Sequence, residues 1–138
     1  MTRISASVKP QELCDQMLIA EHREIIRIPN TIKSGKAIVK NIPESFRLGT
    51  GHVKFFYNKL DYLRCRYFEL HKECLERGFN VADFSESFNG LPKHLDNYWE
   101  ETKESRYEVV ERINKNLSKM KKIRYFSENI KLENIVLC

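Results

Sequence analysis

Arg23, Glu24 and Arg27 are the residues of this chain whose types and spacing suit chemistry. Guanidinium groups grip phosphate oxygens through paired, parallel hydrogen bonds. A carboxylate beside such a grip can move a proton, or stabilise a cation, on whatever the phosphates belong to. The combination therefore points to a phosphate-bearing substrate with acid–base or cation chemistry next to it.

These residues need an element that turns them to one side, and residues 13–27, LCDQMLIAEHREIIR, supply it. Cys14, Leu18, Ile25 and Ile28 follow one another at steps of 4, 7 and 3, the apolar face of a helix. Gln16, Ala20, Arg23 and Arg27 follow at 4, 3 and 4. At about 100° per residue this second stripe lies nearly opposite the first. Glu24 sits one position round from Arg23, above Ala20, whose small side chain leaves room for an approaching group. On spacing alone, a solvated helix face with ordinary ion pairs is the favoured reading.

The chain has 138 residues, which predicts one domain over 1–138. Apolar residues make up 41%, enough for a core, and the net charge of +5 favours a polyanionic partner, most simply nucleic acid. No apolar run is long enough to span a membrane. The opening MTRISASVK lacks the apolar stretch of a signal peptide. Cys14, Cys65, Cys74 and Cys138 have neither C-x-x-C nor zinc-ligand spacing, and Cys65 and Cys74 fall on opposite sides of one predicted helix. Reduced thiols and an intracellular location are expected. The four histidines form no recognisable metal set, and no metal is expected.

Residues 1–9 have no helical period, and Ser5, Ala6 and Ser7 are small enough for an arm that threads a tight place. Pro10 suits a first helical turn, and the helix it opens should end near Pro29. Residues 30–48 read as a basic loop with Lys33, Lys36 and Lys40, then a turn at Gly49-Thr50-Gly51. From His52 to Arg77 apolar residues recur at steps of 3 and 4, a helix about 39 Å long with a break expected near Asn58. Its aromatic stripe reads as core, and Gly78 as its stop. Residues 80–100 are loop-like, anchored by Trp99. A third helix covers 102–120, with Val109, Ile113, Leu117 and Met120 on one side. Residues 112–131 hold seven basic residues and one acid, so they outweigh the charge of the whole chain. Lys121, Lys122, Tyr125 and Phe126 lie there, a mixture suited to tracking a nucleic-acid backbone. The fold class expected is all-α: a single compact domain of about three main helices, with the N-terminal arm near the active site.

Three segments together resemble the pyrimidine-dimer DNA glycosylase family of the phage endonuclease V type. They are Met1-Thr2-Arg3-Ile4, DQMLIAEHREIIR at 15–27, and LGTGHVKFFYNKLDYLRCRYFELHKECLERGFN at 48–80. The resemblance covers roughly the first 85 residues and weakens beyond them. It implies a DNA-repair glycosylase with abasic-site lyase activity on cyclobutane pyrimidine dimers in double-stranded DNA. The nucleophile it implies is the Thr2 amine, exposed by loss of Met1, with Glu24 as the catalytic glutamate. Arg3, Arg23, Arg27 and Gln16 match residues that grip the damaged strand. His22, Lys33, Lys121 and Lys122 complete the DNA-binding set expected here. The chemistry needs no cofactor or metal, a monomer suffices, and the base opposite the lesion is expected to be displaced.

The residue types make chemical sense. An α-amino group has an ordinary pKa near 7.7–8.0 against about 10.4 for lysine, so roughly a tenth of it is neutral at pH 7. Neighbouring arginines push it lower still. Three features depart from the family pattern. Met17 stands where the family usually has histidine, the segment between Arg27 and Leu48 is shorter, and the aromatic-rich C-terminal segment is not evident. The same chemistry on another damaged base therefore stays open, as does a non-catalytic DNA-binding relic. An interaction protein without a nucleic-acid role fits least well. His52, in Gly51-His52-Val53, reads as a histidine that holds a turn or packs in the core, and is left out of the site.

Overall fold

The computed structural model describes residues 1–138. Three longer helices dominate: α1 (Asp15–Glu24), α4 (Leu60–Glu76) and α5 (Lys103–Leu117), with shorter α2 (Arg27–Lys33) and α3 (His52–Phe55). A two-stranded antiparallel hairpin, β1 (Ile123–Tyr125) and β2 (Glu128–Ile130), follows α5. No helix is long and apolar enough to cross a membrane.

The predicted apolar faces are the buried ones. Cys14, Leu18, Ile25 and Ile28 are all at most 1% exposed, as are Leu60, Leu63, Tyr67, Leu70 and Cys74 along α4. Val109, Ile113 and Leu117 bring α5 onto the same core. Leu75, next to Cys74 near the end of α4, faces outward at 55% exposure. Thr102 caps α5 by accepting from the Ser105 N–H. After α4, Gly78 takes the left-handed conformation while the Phe79 N–H reaches back to the Cys74 carbonyl, which closes the helix end. Trp99 stacks on Phe46 and meets Phe55 and Tyr62 edge-on, so the 80–100 loop is anchored as expected.

The first helix differs from expectation at both ends: Pro10 opens only a 3₁₀ turn, Pro10–Glu12, and α1 starts later, at Asp15. The first helix breaks after Glu24 and restarts at Arg27, and Pro29 lies inside the first turn of α2 instead of ending a helix. A first turn tolerates proline because its N–H would have no helical partner there. The long second helix divides near Asn58 as expected, into α3, a 3₁₀ turn at Phe56–Asn58, and α4.

The hairpin was not foreseen. Its turn residues Phe126 and Ser127 both have positive φ, where Asn-Gly is the usual signal. Two buried arginines underlie the packing. Arg77 meets Asp15 at 3.0 Å and Glu73 at 2.8 Å, and its guanidinium lies 4.4 Å from the Tyr125 ring centre. The Asp15 carboxylate accepts from the Phe126 and Ser127 N–H groups at 3.0 and 2.7 Å. The unusual turn is thus held from α1. Arg66 pairs with Glu21 through two hydrogen bonds, both residues being buried.

Candidate active site

The arm forms no helix or strand: Ile4, Ala6 and Val8 are buried at 0, 0 and 1% exposure, Ser5 is buried among them, and the chain turns at Ser7, whose φ is positive. Its successive residues are hooked by side chains from α1, α3, α5 and α4. The Arg3 N–H donates to Glu24 Oε1 at 3.2 Å, and the Ile4 N–H to His52 Nε2 at 3.0 Å. Arg112 donates to Ser5 Oγ, Arg106 to the Ser7 carbonyl and Arg66 to the Val8 carbonyl. The arm is therefore threaded through the helices, and Thr2 is fixed one residue away from the backbone group that Glu24 holds.

A cavity of about 70 Å³ opens here, with Arg3, Glu24 and Arg112 at its polar side and Met17, Ala20 and Ile113 at its apolar side. A neighbouring cleft holds Thr2, Gly49 and His52, and shares Arg3 and Arg112 with the cavity. The small Ala20 thus does leave space beside Glu24. Two carboxylates line the cavity, and their partners tell them apart. Glu21 is locked to Arg66. Burial works against the Arg66 charge, but Glu21 more than offsets it and holds the guanidinium above its ordinary range. Glu24 has only the Arg3 N–H and a loose contact with Arg23 at 3.8 Å. It is the carboxylate left to act on a substrate.

Arg112 was not singled out from sequence. It is largely withdrawn from solvent, and burial pushes its pKa down, as do the nearby Arg3 and Arg66 charges, while Glu21 and Glu24 oppose them. Its one side-chain hydrogen bond is to the neutral Ser5 hydroxyl. A guanidinium held this way, beside Arg3, is suited to an anion. The available signal was its place next to the core position Ile113, which turns it inward from the basic segment. Asn116, one turn further, also lines the cavity.

The other expected residues divide. Arg23 is exposed beside Glu24, and Arg27 donates to the Met1 carbonyl at 3.2 Å, so both stand at the arm's entrance. Gln16, expected to grip the damaged strand, is engaged within the protein. Its amide donates to the Lys122 carbonyl and accepts from the Arg124 N–H, so it clamps β1. That clamp holds Lys121 and Lys122 at the N-terminal end of α1, away from Arg23 and Glu24, where with Lys131 they line a separate groove. Lys33 donates to the Glu86 carbonyl and is not among the residues lining the Glu24 cavity. His22, expected in the DNA-binding set, is 2% exposed, lies tilted against Tyr67 and Phe84, and stacks on His71, with ring nitrogens 3.0 Å apart. Burial, and then the His71 charge, push its pKa down to about 4. It belongs to the core, one helical position round from Arg23, because that position points between α1 and α4.

What is assembled is a carboxylate without a dedicated cation, a wall of arginines, and an arm end held at that carboxylate. Residues 1–87 match the family model described as pyrimidine dimer DNA glycosylase.

Proposed function

The chain belongs to the pyrimidine dimer DNA glycosylase family, and from that premise we propose that it excises a cyclobutane pyrimidine dimer from duplex DNA and cleaves the strand by β-elimination, with the Thr2 amine as nucleophile. The observation that carries this reading is the hydrogen bond from the Arg3 N–H to Glu24 Oε1. It brings the start of the arm to the one cavity carboxylate that has no dedicated cation.

With Met1 removed, the Thr2 nitrogen attacks the sugar C1′. The N–C1′ bond forms, the glycosidic bond breaks, and the base leaves with its electron pair and takes up a proton. Opening of the sugar ring gives a protonated Schiff base. Loss of the C2′ proton then sends electrons into a new C2′–C3′ double bond and expels the 3′ phosphate. Glu24 stabilises the cationic sugar and assists the proton transfers. Arg3 and Arg112, which line the Glu24 cavity, hold an anionic oxygen during elimination, and Arg23 and Arg27 grip the flanking phosphates. Lys121 and Lys122 extend the basic surface. The sugar is reached by kinking the duplex and displacing a base. A monomer carries all of these groups.

A second reading keeps the chemistry and changes the lesion. Met17 lines the cavity where the resemblance leads one to expect histidine, so the apolar wall is larger than the family pattern implies. Borohydride trapping on one duplex carrying a single thymine dimer and another carrying an abasic site separates the readings. An adduct on the dimer, mapped to the Thr2 amine, is expected. An adduct on the abasic duplex alone moves the assignment to another base, and none on either overturns the enzyme.

A further inference from the structure

Deepening the function proposed above, and resting on it, we infer that His52 is the positioning residue for the nucleophile: its neutral ring ties the arm to the start of α3 and sets where the Thr2 amine stands. The ring is 4% exposed and both of its nitrogens are engaged. The Ile4 N–H donates to Nε2 at 3.0 Å. A backbone N–H can only donate, so Nε2 must be the unprotonated nitrogen. The proton is then on Nδ1, which donates to the Arg47 carbonyl at 2.8 Å. The turn that delivers His52 is itself tight: Gly51 has φ +87, and a Cβ there would come within 2.9 Å of the Arg47 side chain. One neutral tautomer therefore joins the 47–51 turn to the arm, two residues from Thr2.

Protonation would break this joint at a single point. Nε2 would then carry a hydrogen facing another hydrogen on Ile4, and the arm would lose its hook next to Glu24. The groups around the ring are Arg112 from α5, Glu21 from α1, the Arg3 side chain in the shared cleft, and the uncharged edges of Phe46 and Phe56. Burial and then Arg112 disfavour the charged ring, while the Arg47 carbonyl and Glu21 favour it, and the balance lies below the ordinary histidine value. The joint thus holds at neutral pH and opens on acidification. A misplacement of about 1 Å at a reacting group can cost on the order of a hundredfold in rate.

Two substitutions separate the joint's halves. His52→Asn keeps a donor near the Nδ1 position for the turn but removes the acceptor for Ile4. His52→Gln places an oxygen near the Nε2 position and cannot titrate. Single-turnover cleavage of an abasic duplex at saturating enzyme should slow about tenfold to a hundredfold in His52→Asn, with DNA Kd changed less than about twofold. His52→Gln should recover most of the rate and flatten the acid side of the pH profile. In free protein, the exchange protection of the Ile4 amide should fall in His52→Asn, and in the wild type on acidification, but persist in His52→Gln. Wild-type cleavage and Ile4 protection in His52→Asn would overturn the inference, as would equal slowing by both substitutions in folded protein. If His52→Asn fails to fold, wild-type Ile4 protection that ignores pH overturns it. Absence of any trapped adduct in the wild type refutes the enzyme instead, and Ile4 exchange still decides the role of His52.

Discussion

Glu24→Gln tests the chemistry with the least disturbance of the structure. Glutamine keeps an oxygen to accept the Arg3 N–H, now held at 3.2 Å, so the arm should stay in place. What disappears is the negative charge. A cationic sugar about 4 Å from the carboxylate, at an effective dielectric near 20, gains about 4 kcal/mol from it. At about 1.36 kcal/mol per tenfold, that is a loss of about a thousandfold in the chemical step. The side chain is 14% exposed, so little solvent screening offsets this. Binding should move the other way: the carboxylate competes with phosphate for Arg23, 3.8 Å away, and its removal should leave DNA affinity equal or slightly tighter. Single-turnover cleavage at saturating enzyme, with fluorescence anisotropy for binding, reads both quantities. Cleavage within tenfold of wild type would refute the role of Glu24. Equal loss of cleavage and binding would show that the residue only holds the complex together.

Intact-mass analysis of active protein should show Met1 absent. A variant carrying an extra residue before Thr2 should form no borohydride adduct at Thr2, because its nitrogen is then an amide that cannot attack C1′; the added carbonyl also engages Arg27, as that of Met1 does at 3.2 Å. His22 couples stability to acid. Its pKa falls from about 6.5 to about 4 on folding, so its contribution is complete above pH 6.5 and is lost as the pH drops through 4. That difference is worth about 3 kcal/mol, and urea denaturation from pH 7 to 4 should show a dependence that His22→Gln reduces by about that amount. Lys121→Ala with Lys122→Ala should weaken DNA binding regardless of sequence and reduce the magnitude of the salt slope by about 2; an unchanged slope would take the basic segment out of the interface. Gln16→Leu should free β1 and speed trypsin cleavage at Lys122 and Arg124, since both of its hydrogen bonds to the strand are lost.

Much of the site was legible because its signals are local. Cys14, Leu18, Ile25 and Ile28 could be assigned to the core, and Ala20, Arg23 and Arg27 to the open side, from the helical period alone. Small residues in an aperiodic opening segment pointed to a threaded arm, and Ile4, Ala6 and Val8 now lie buried along it. The family resemblance brought Glu24 forward, and residues 1–87 bear that family out.

Tertiary structure alone decided which charges are free. Glu21 and Glu24 are three residues apart on one helix, and nothing in their spacing says that Arg66, 45 residues onward, silences the first. The same holds for Arg112 turning into the cavity, for Gln16 facing a strand 106 residues away, and for His22 meeting His71. The hairpin's turn takes positive φ without glycine because Asp15, far off in the chain, accepts its two N–H groups. Periodicity records which side of an element is apolar. Which buried charge finds its counter-charge depends on contacts between elements, and the sequence carries no local trace of those.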